Sequence, residues 1–154
     1  RANVIDFDNS DYVTNEVHTE IFRRCNPEYG DVLYTNIGVN LGTAAINTVH
    51  YEFSMKNVAL LKLKSEIVSG YYLQYYLNNQ DVRNRILEEF ASGGAQKFLS
   101  LTSINRFTVP IPSYTFQEEF AKKILSIEKQ KQLINKSITD VQQLFDYTMD
   151  KYFN

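Results

Sequence analysis

The chain has 154 residues, 44% hydrophobic and 14% aromatic with no tryptophan, which suffices for one packed core and makes a disordered segment a poor description. No apolar run approaches the ~20 residues that a membrane span needs, no signal peptide is visible, and the single Cys25 excludes an internal disulfide and fits a reducing compartment. Net charge is −2: residues 1–57 carry four basic and eight acidic side chains, residues 58–112 six and four, residues 113–154 six of each, so composition alone argues against a lone nucleic-acid binder, which is usually basic.

Residues 1–29 are polar and acidic, and the chain opens at Arg1 rather than Met, from which we expect a fragment or a processed product. Thr14 predicts the N-cap of a short helix to Arg24, with Glu16 and Glu20 outward and Val17, Ile21 and Cys25 as its buried stripe. Gly30-Asp31 turns into Val32–Ile37, whose β-branched and aromatic residues predict a strand. Gly38 and Gly42 bracket a tight connection to a returning strand at Thr43–Val49. A third strand is expected over Asn57–Lys64, with Val58, Leu60 and Leu61 facing inward.

Two short helices follow. Ser69 is placed to cap Gly70–Leu77, in which Tyr72, Leu73, Tyr76 and Leu77 share a face, and Asn79 or Asp81 opens a second helix through Phe90. Gly93-Gly94 ends it, and Ala95-Gln96-Lys97 forms a polar loop. A short strand at Phe98–Leu101, one helical turn capped by Thr102, and an edge strand at Thr108–Pro112 complete the expected α+β domain.

Beyond Pro112 the pattern changes to a long amphipathic helix. Thr115 and Glu118 form a capping box. Phe120, Ile124, Ile127, Ile134, Ile138, Val141, Phe145 and Tyr152 then follow alternating steps of four and three, with Lys131 and Thr148 in the two remaining seam positions. Such a stripe is built to meet another helix. We therefore expect a small mixed sheet with short helices over residues 1–112 and a coiled-coil helix over residues 113–154.

Catalytic signatures are scarce. Gly38 and Gly42 lack the ending of a phosphate loop, and His18, Cys25 and His50 match no zinc spacing, so neither metal nor cofactor is expected. Glu88-Glu89 and Glu118-Glu119 suit solvated helix faces, and the tyrosines at 71, 72, 75 and 76 suit core and rim at helical spacing.

Six segments in order carry a resemblance. They are Gly30–Gly38 (GDVLYTNIG) with Gly42, Asn57–Leu61 (NVALL), Tyr72–Leu77 (YLQYYL), Gly93–Gln96 (GGAQ), Val109–Pro112 (VPIP) and Gln117-Glu118. Together they resemble the target-recognition domain of type I restriction-modification DNA specificity subunits, followed by that family's spacer helix. The likeness covers roughly residues 12–154.

The resemblance implies a non-catalytic, cytoplasmic subunit that selects double-stranded DNA for separate methyltransferase (modification) and restriction subunits. It implies two recognition domains on two antiparallel helices, each reading half of a split target. One domain and one helix then make this chain either half of a longer subunit or a half-size subunit that pairs with itself, and its first strand is expected to be missing. In that family, polar side chains near the glycine turns enter the major groove, so Asn36, Asn40, Thr43, Lys56, Asn57, Gln96 and Lys97 become candidates for base contact and Arg23 and Arg24 for phosphate.

Two other readings remain open at this point. One is a coiled-coil oligomerisation or adaptor module whose α+β head binds a protein. The other is a hydrolase using Cys25.

Overall fold

The computed structural model describes residues 4–64 and 66–153. It divides into two compact units, Arg1–Gln117 and Glu118–Asn154. Among the described residues the fold is α+β, with three strands paired antiparallel and a long C-terminal helix.

In the first unit, α1 (Asn15–Arg24) is capped by Thr14, whose Oγ1 accepts from Val17 N. Its protected side differs from the expected stripe. His18, Ile21, Phe22 and Cys25 are half-buried while Val17 is exposed, because the helix packs through His18 and Phe22.

Strands β1 (Val32–Thr35), β2 (Ala44–Ile46) and β3 (Val58–Leu61) lie in the order β2-β1-β3. Tyr34 sits opposite Ala44 and Ala59, and Val32 opposite Ile46 and Leu61, so these side chains form the inner face. They join Leu41, Leu73, Leu77, Ile86, Leu99 and Ile104 in one core. Alternation puts Ala59 and Leu61 inward and Val58 and Leu60 on the outer face. Of the three inward residues expected on this strand, only Leu61 is confirmed; the apolar run VALL hides its period. The returning strand is also shorter than expected, although Asn47 still exchanges backbone bonds with Asp31 and Gly30.

Helix α2 (Gly70–Asn78) packs on this sheet and shields the free edge of β2. Gln74 Oε1 accepts from Ile46 N at 2.6 Å, while Asn78 accepts from Ala44 N at 2.9 Å and donates to Ala44 O at 2.7 Å. One turn apart on the helix, these amides stand in for a neighbouring strand. The close approach requires Gly70, since a Cβ there would lie 2.6 Å from Gly30 O. Ser69 stands at the N-cap but bonds through its backbone N–H instead, donating to Gln117 Oε1.

Helix α3 (Gln80–Phe90) is capped by Asn79, which accepts from Asp81 N and Val82 N. The expected strand at Phe98–Leu101 reduces to single bridges from Phe98 to Ile37 and Ser92, because Leu101 already begins α4 (Leu101–Ile104). Ser100 rather than Thr102 caps that turn, accepting from Ser103 N. Residues 108–112 form neither strand nor helix: the prolines lack donors, and Tyr72 Oη and Gln117 Nε2 bond the carbonyls of Pro110 and Pro112.

Helix α5 (Tyr114–Phe153) has 40 residues and starts before the expected capping box. Ser113 Oγ accepts from Phe116 N, leaving Thr115 inside the first turn. Its length is about 60 Å. No helix among the described residues is long and apolar enough to cross a membrane.

Candidate nucleic-acid interface

The strand register brings distant residues to one end of the sheet. Thr35, the last residue of β1, faces Val58, the first of β3, and its N–H donates to Thr43 O just ahead of β2. The loops carrying Asn36, Asn40, Thr43, Lys56 and Asn57 therefore converge there. Leu99 N donates to Asn36 O, and Phe98 bridges both Ile37 and Ser92, which closes residues 93–97 into a tight loop at the same end. Gln96 and Lys97 project from that loop, exposed.

Exposure divides this group. Asn40, Lys56, Asn57, Gln96 and Lys97 are open to solvent. Thr43 is only 5% exposed, and Asn36 is half-buried with Nδ2 donating to Leu99 O at 3.4 Å. Those two hold the loops rather than present a free polar edge. Asn57 has φ +62°, a left-handed conformation that asparagine tolerates better than most residues, and it turns the chain into β3.

Two residues outside the candidate set shape the site. Arg83 on α3 donates from Nε and Nη2 to Leu41 O at 3.1 and 2.6 Å, tethering the 38–42 turn. Gly42 permits this: it has φ +81°, and a Cβ there would lie 3.2 Å from Arg83 Nε. The other is Thr35, which with Leu33, Ala45 and Val58 floors a groove of about 580 Å³ on the sheet's outer face, edged by Asn40, Thr43 and Asp6. Nothing local in the sequence marks Arg83, whose acceptor lies 42 residues away.

Arg23 and Arg24 lie on the exposed last turn of α1, and among the described residues no hydrogen bond or ion pair joins them to the sheet-end loops. Arg24 is engaged with Glu20 at 3.2 Å. Helix α1 instead meets residues 52 and 54 through His18, and Phe22 lines a pocket with Pro27, Tyr29 and His50.

At the other end of the sheet, Lys62 Nζ bridges Glu28 and the buried Asp31 at 3.0 Å each. Burial pulls its pKa down, yet its bonds to the two carboxylates outweigh that and leave it raised. Burial also pushes the Cys25 thiol up, against a smaller opposing pull from Lys62, which disfavours the thiolate a nucleophile needs. The α2 tyrosines are half-buried, with Tyr72 Oη donating to Pro110 O and Tyr76 Oη accepting from Arg85. Among the described residues no group of three His, Cys, Asp or Glu is placed to hold a metal ion.

On α5, Phe120 and Ile124 are half-buried, whereas Ile127, Ile134, Ile138, Val141, Phe145 and Tyr152 are exposed along one stripe. Lys131, within that stripe, contacts Glu128 at 2.9 Å. Leu133 and Leu144 widen the apolar face.

This combination of a small α+β head with polar loops gathered at one sheet end and a long helix with an apolar seam is that of a DNA-binding specificity module. Residues 7–143 match the family described as the type I restriction modification DNA specificity domain, and the chain belongs to that family. It is thereby a DNA-binding component of a restriction system, and its long helix fits a coiled coil.

Proposed function

We propose that the chain selects one half of a bipartite DNA target for separate methyltransferase and restriction subunits and performs no chemistry itself. The observation that carries this reading is the convergence of exposed Asn40, Lys56, Asn57, Gln96 and Lys97 at one end of the sheet. Asparagine and glutamine pair bidentately with adenine, and lysine donates to guanine O6 and N7. Asn36 and Thr43 support the loops from behind, and Arg23 and Arg24 are assigned to phosphate. The slight net negative charge fits a reader whose partner subunits supply much of the phosphate contact. Its place of action is the cytoplasm, with the DNA.

Helix α5 sets the distance between two readers. Its partner is a second copy or the corresponding helix of a longer subunit, and the two-domain arrangement implies antiparallel pairing. The seam supports that orientation. About a centre at Lys136, Ile134 meets Ile138, Ile127 meets Phe145, Ile124 meets Thr148, Phe120 meets Tyr152, and Lys131 meets Val141. Parallel pairing in register would instead set Lys131 against its own copy, and like charges in a seam repel. Two rigidly joined weak readers gain avidity from effective concentration.

The test is selection from random-sequence duplexes by the complex reconstituted with its methyltransferase. Enrichment of a single bipartite sequence, with affinity falling steeply as salt rises, supports the proposal. Equal binding to all duplexes contradicts it. Ile134→Lys should abolish helix pairing and bipartite recognition together. Loss of pairing with recognition intact would favour the adaptor reading.

A further inference from the structure

The stretch from Tyr51 to Ser54 is gripped from two sides by side chains remote from it in sequence. The Phe7 ring meets Tyr51 at 5.4 Å between centroids and Phe53 at 5.1 Å, edge-on in both cases. From α1, His18 reaches the intervening residues, with Nδ1 2.8 Å from Ser54 Oγ and Nε2 3.5 Å from Glu52 Oε2. Odd positions rest on Phe7 and even positions on His18, as alternate side chains of an extended chain would. The Glu52 carboxylate favours a proton on Nε2, which leaves Nδ1 to accept from the Ser54 hydroxyl.

The gripped stretch ends two residues before Lys56. Asn57 then makes its left-handed turn, and Val58 enters β3 opposite Thr35. Met55, between the gripped stretch and Lys56, is half-buried. Lys56 and Asn57 are thus bracketed by the held stretch on one side and by the sheet at Val58 on the other.

We propose that Phe7 and His18 form a clamp that sets the presentation of Lys56 and Asn57 to DNA. His18 is on this view a positioning residue for sequence specificity and makes no DNA contact itself. The inference rests on the reading that Lys56 and Asn57 meet the duplex. An ion contact whose Glu52 side is 68% exposed adds little to global stability, so the fold survives its loss. Base readout tolerates displacements of only about 0.5 Å, so specificity does not.

The experiment maps methylated bases genome-wide in cells that carry the chain with its methyltransferase subunits. Wild type is compared with His18→Ala, His18→Asn and the pair Lys56→Ala with Asn57→Ala. The Lys56/Asn57 variant should relax certain positions of the methylated motif. His18→Ala should relax those same positions, with about tenfold loss of discrimination, and leave the others unchanged. His18→Asn, whose amide can still meet Ser54, should restore part of it. A motif relaxed by the Lys56/Asn57 variant but untouched by His18→Ala overturns the clamp alone. A uniform fall in methylation with an unchanged motif does so too. A motif indifferent to the Lys56/Asn57 variant overturns the underlying reading and the clamp with it. Should His18→Ala abolish methylation, Phe7→Leu carries the same expectation.

Discussion

Gln117 is fully enclosed, and its amide serves three backbone groups from two other segments: it accepts from Ser69 N and donates to the carbonyls of Ile67 and Pro112. Gln117→Leu keeps most of the volume and leaves those groups unpaired in a dry site. We expect a loss of about 3 kcal/mol in urea unfolding; a change below about 0.5 kcal/mol would contradict this role. Tyr34 poses the opposite case, being fully buried with a hydroxyl that finds no hydrogen-bond partner among the described residues. Burial pushes its pKa up to about 12, against a smaller downward pull from Arg83. The unfolded chain ionises near pH 10, so between pH ~10 and ~12 it sheds a proton that the folded protein retains. Stability should fall through that window by up to about 3 kcal/mol and show no dependence from this group below it. Tyr34→Phe should remove this group's share of the alkaline dependence, leaving what Tyr71, Tyr72 and Lys62 contribute, and keep neutral-pH stability equal or higher, as measured by unfolding at several pH values.

Helix α2 guards β2 through two amides one turn apart, and Asn78 satisfies both polar groups of Ala44. Asn78→Ala should cost about 2 kcal/mol and open a strand edge to intermolecular pairing. Unfolding curves together with light scattering check both effects; unchanged stability and no self-association would refute the role. Local signals made α1 and α3 legible, since Thr14 and Asn79 each bond within three residues. Cap positions are ambiguous in the sequence where two hydroxyls compete two residues apart: Ser113 prevails over Thr115 and Ser100 over Thr102. The faces of β3 are not legible in the sequence because VALL is apolar throughout. Gln74, Asn78 and Arg83 could not be found from sequence, because their partners lie 28, 34 and 42 residues away. For the proposed interface, the glycine turns point to loops that the structure gathers at one sheet end, but only the fold shows which of their side chains remain exposed. Asn36 is half-buried against Leu99, and Thr43, at the edge of the outer-face groove, is 5% exposed.

At the scale of the whole molecule, the proposal makes α5 a spacer whose length sets the unread gap in the target. Inserting one heptad after Lys136 keeps the seam in phase and lengthens the helix by about 10 Å. At 3.4 Å per base pair, the gap should grow by about three base pairs while both recognised words stay the same. A four-residue insertion breaks the phase and should weaken pairing. An unchanged gap after the heptad insertion would remove the spacer from the account. The central claim, that this chain chooses the sequence, is tested most directly by mapping methylated bases in cells with and without its gene. The account predicts two short words at fixed separation that are methylated only when the chain is present; the same motif persisting in its absence would contradict it.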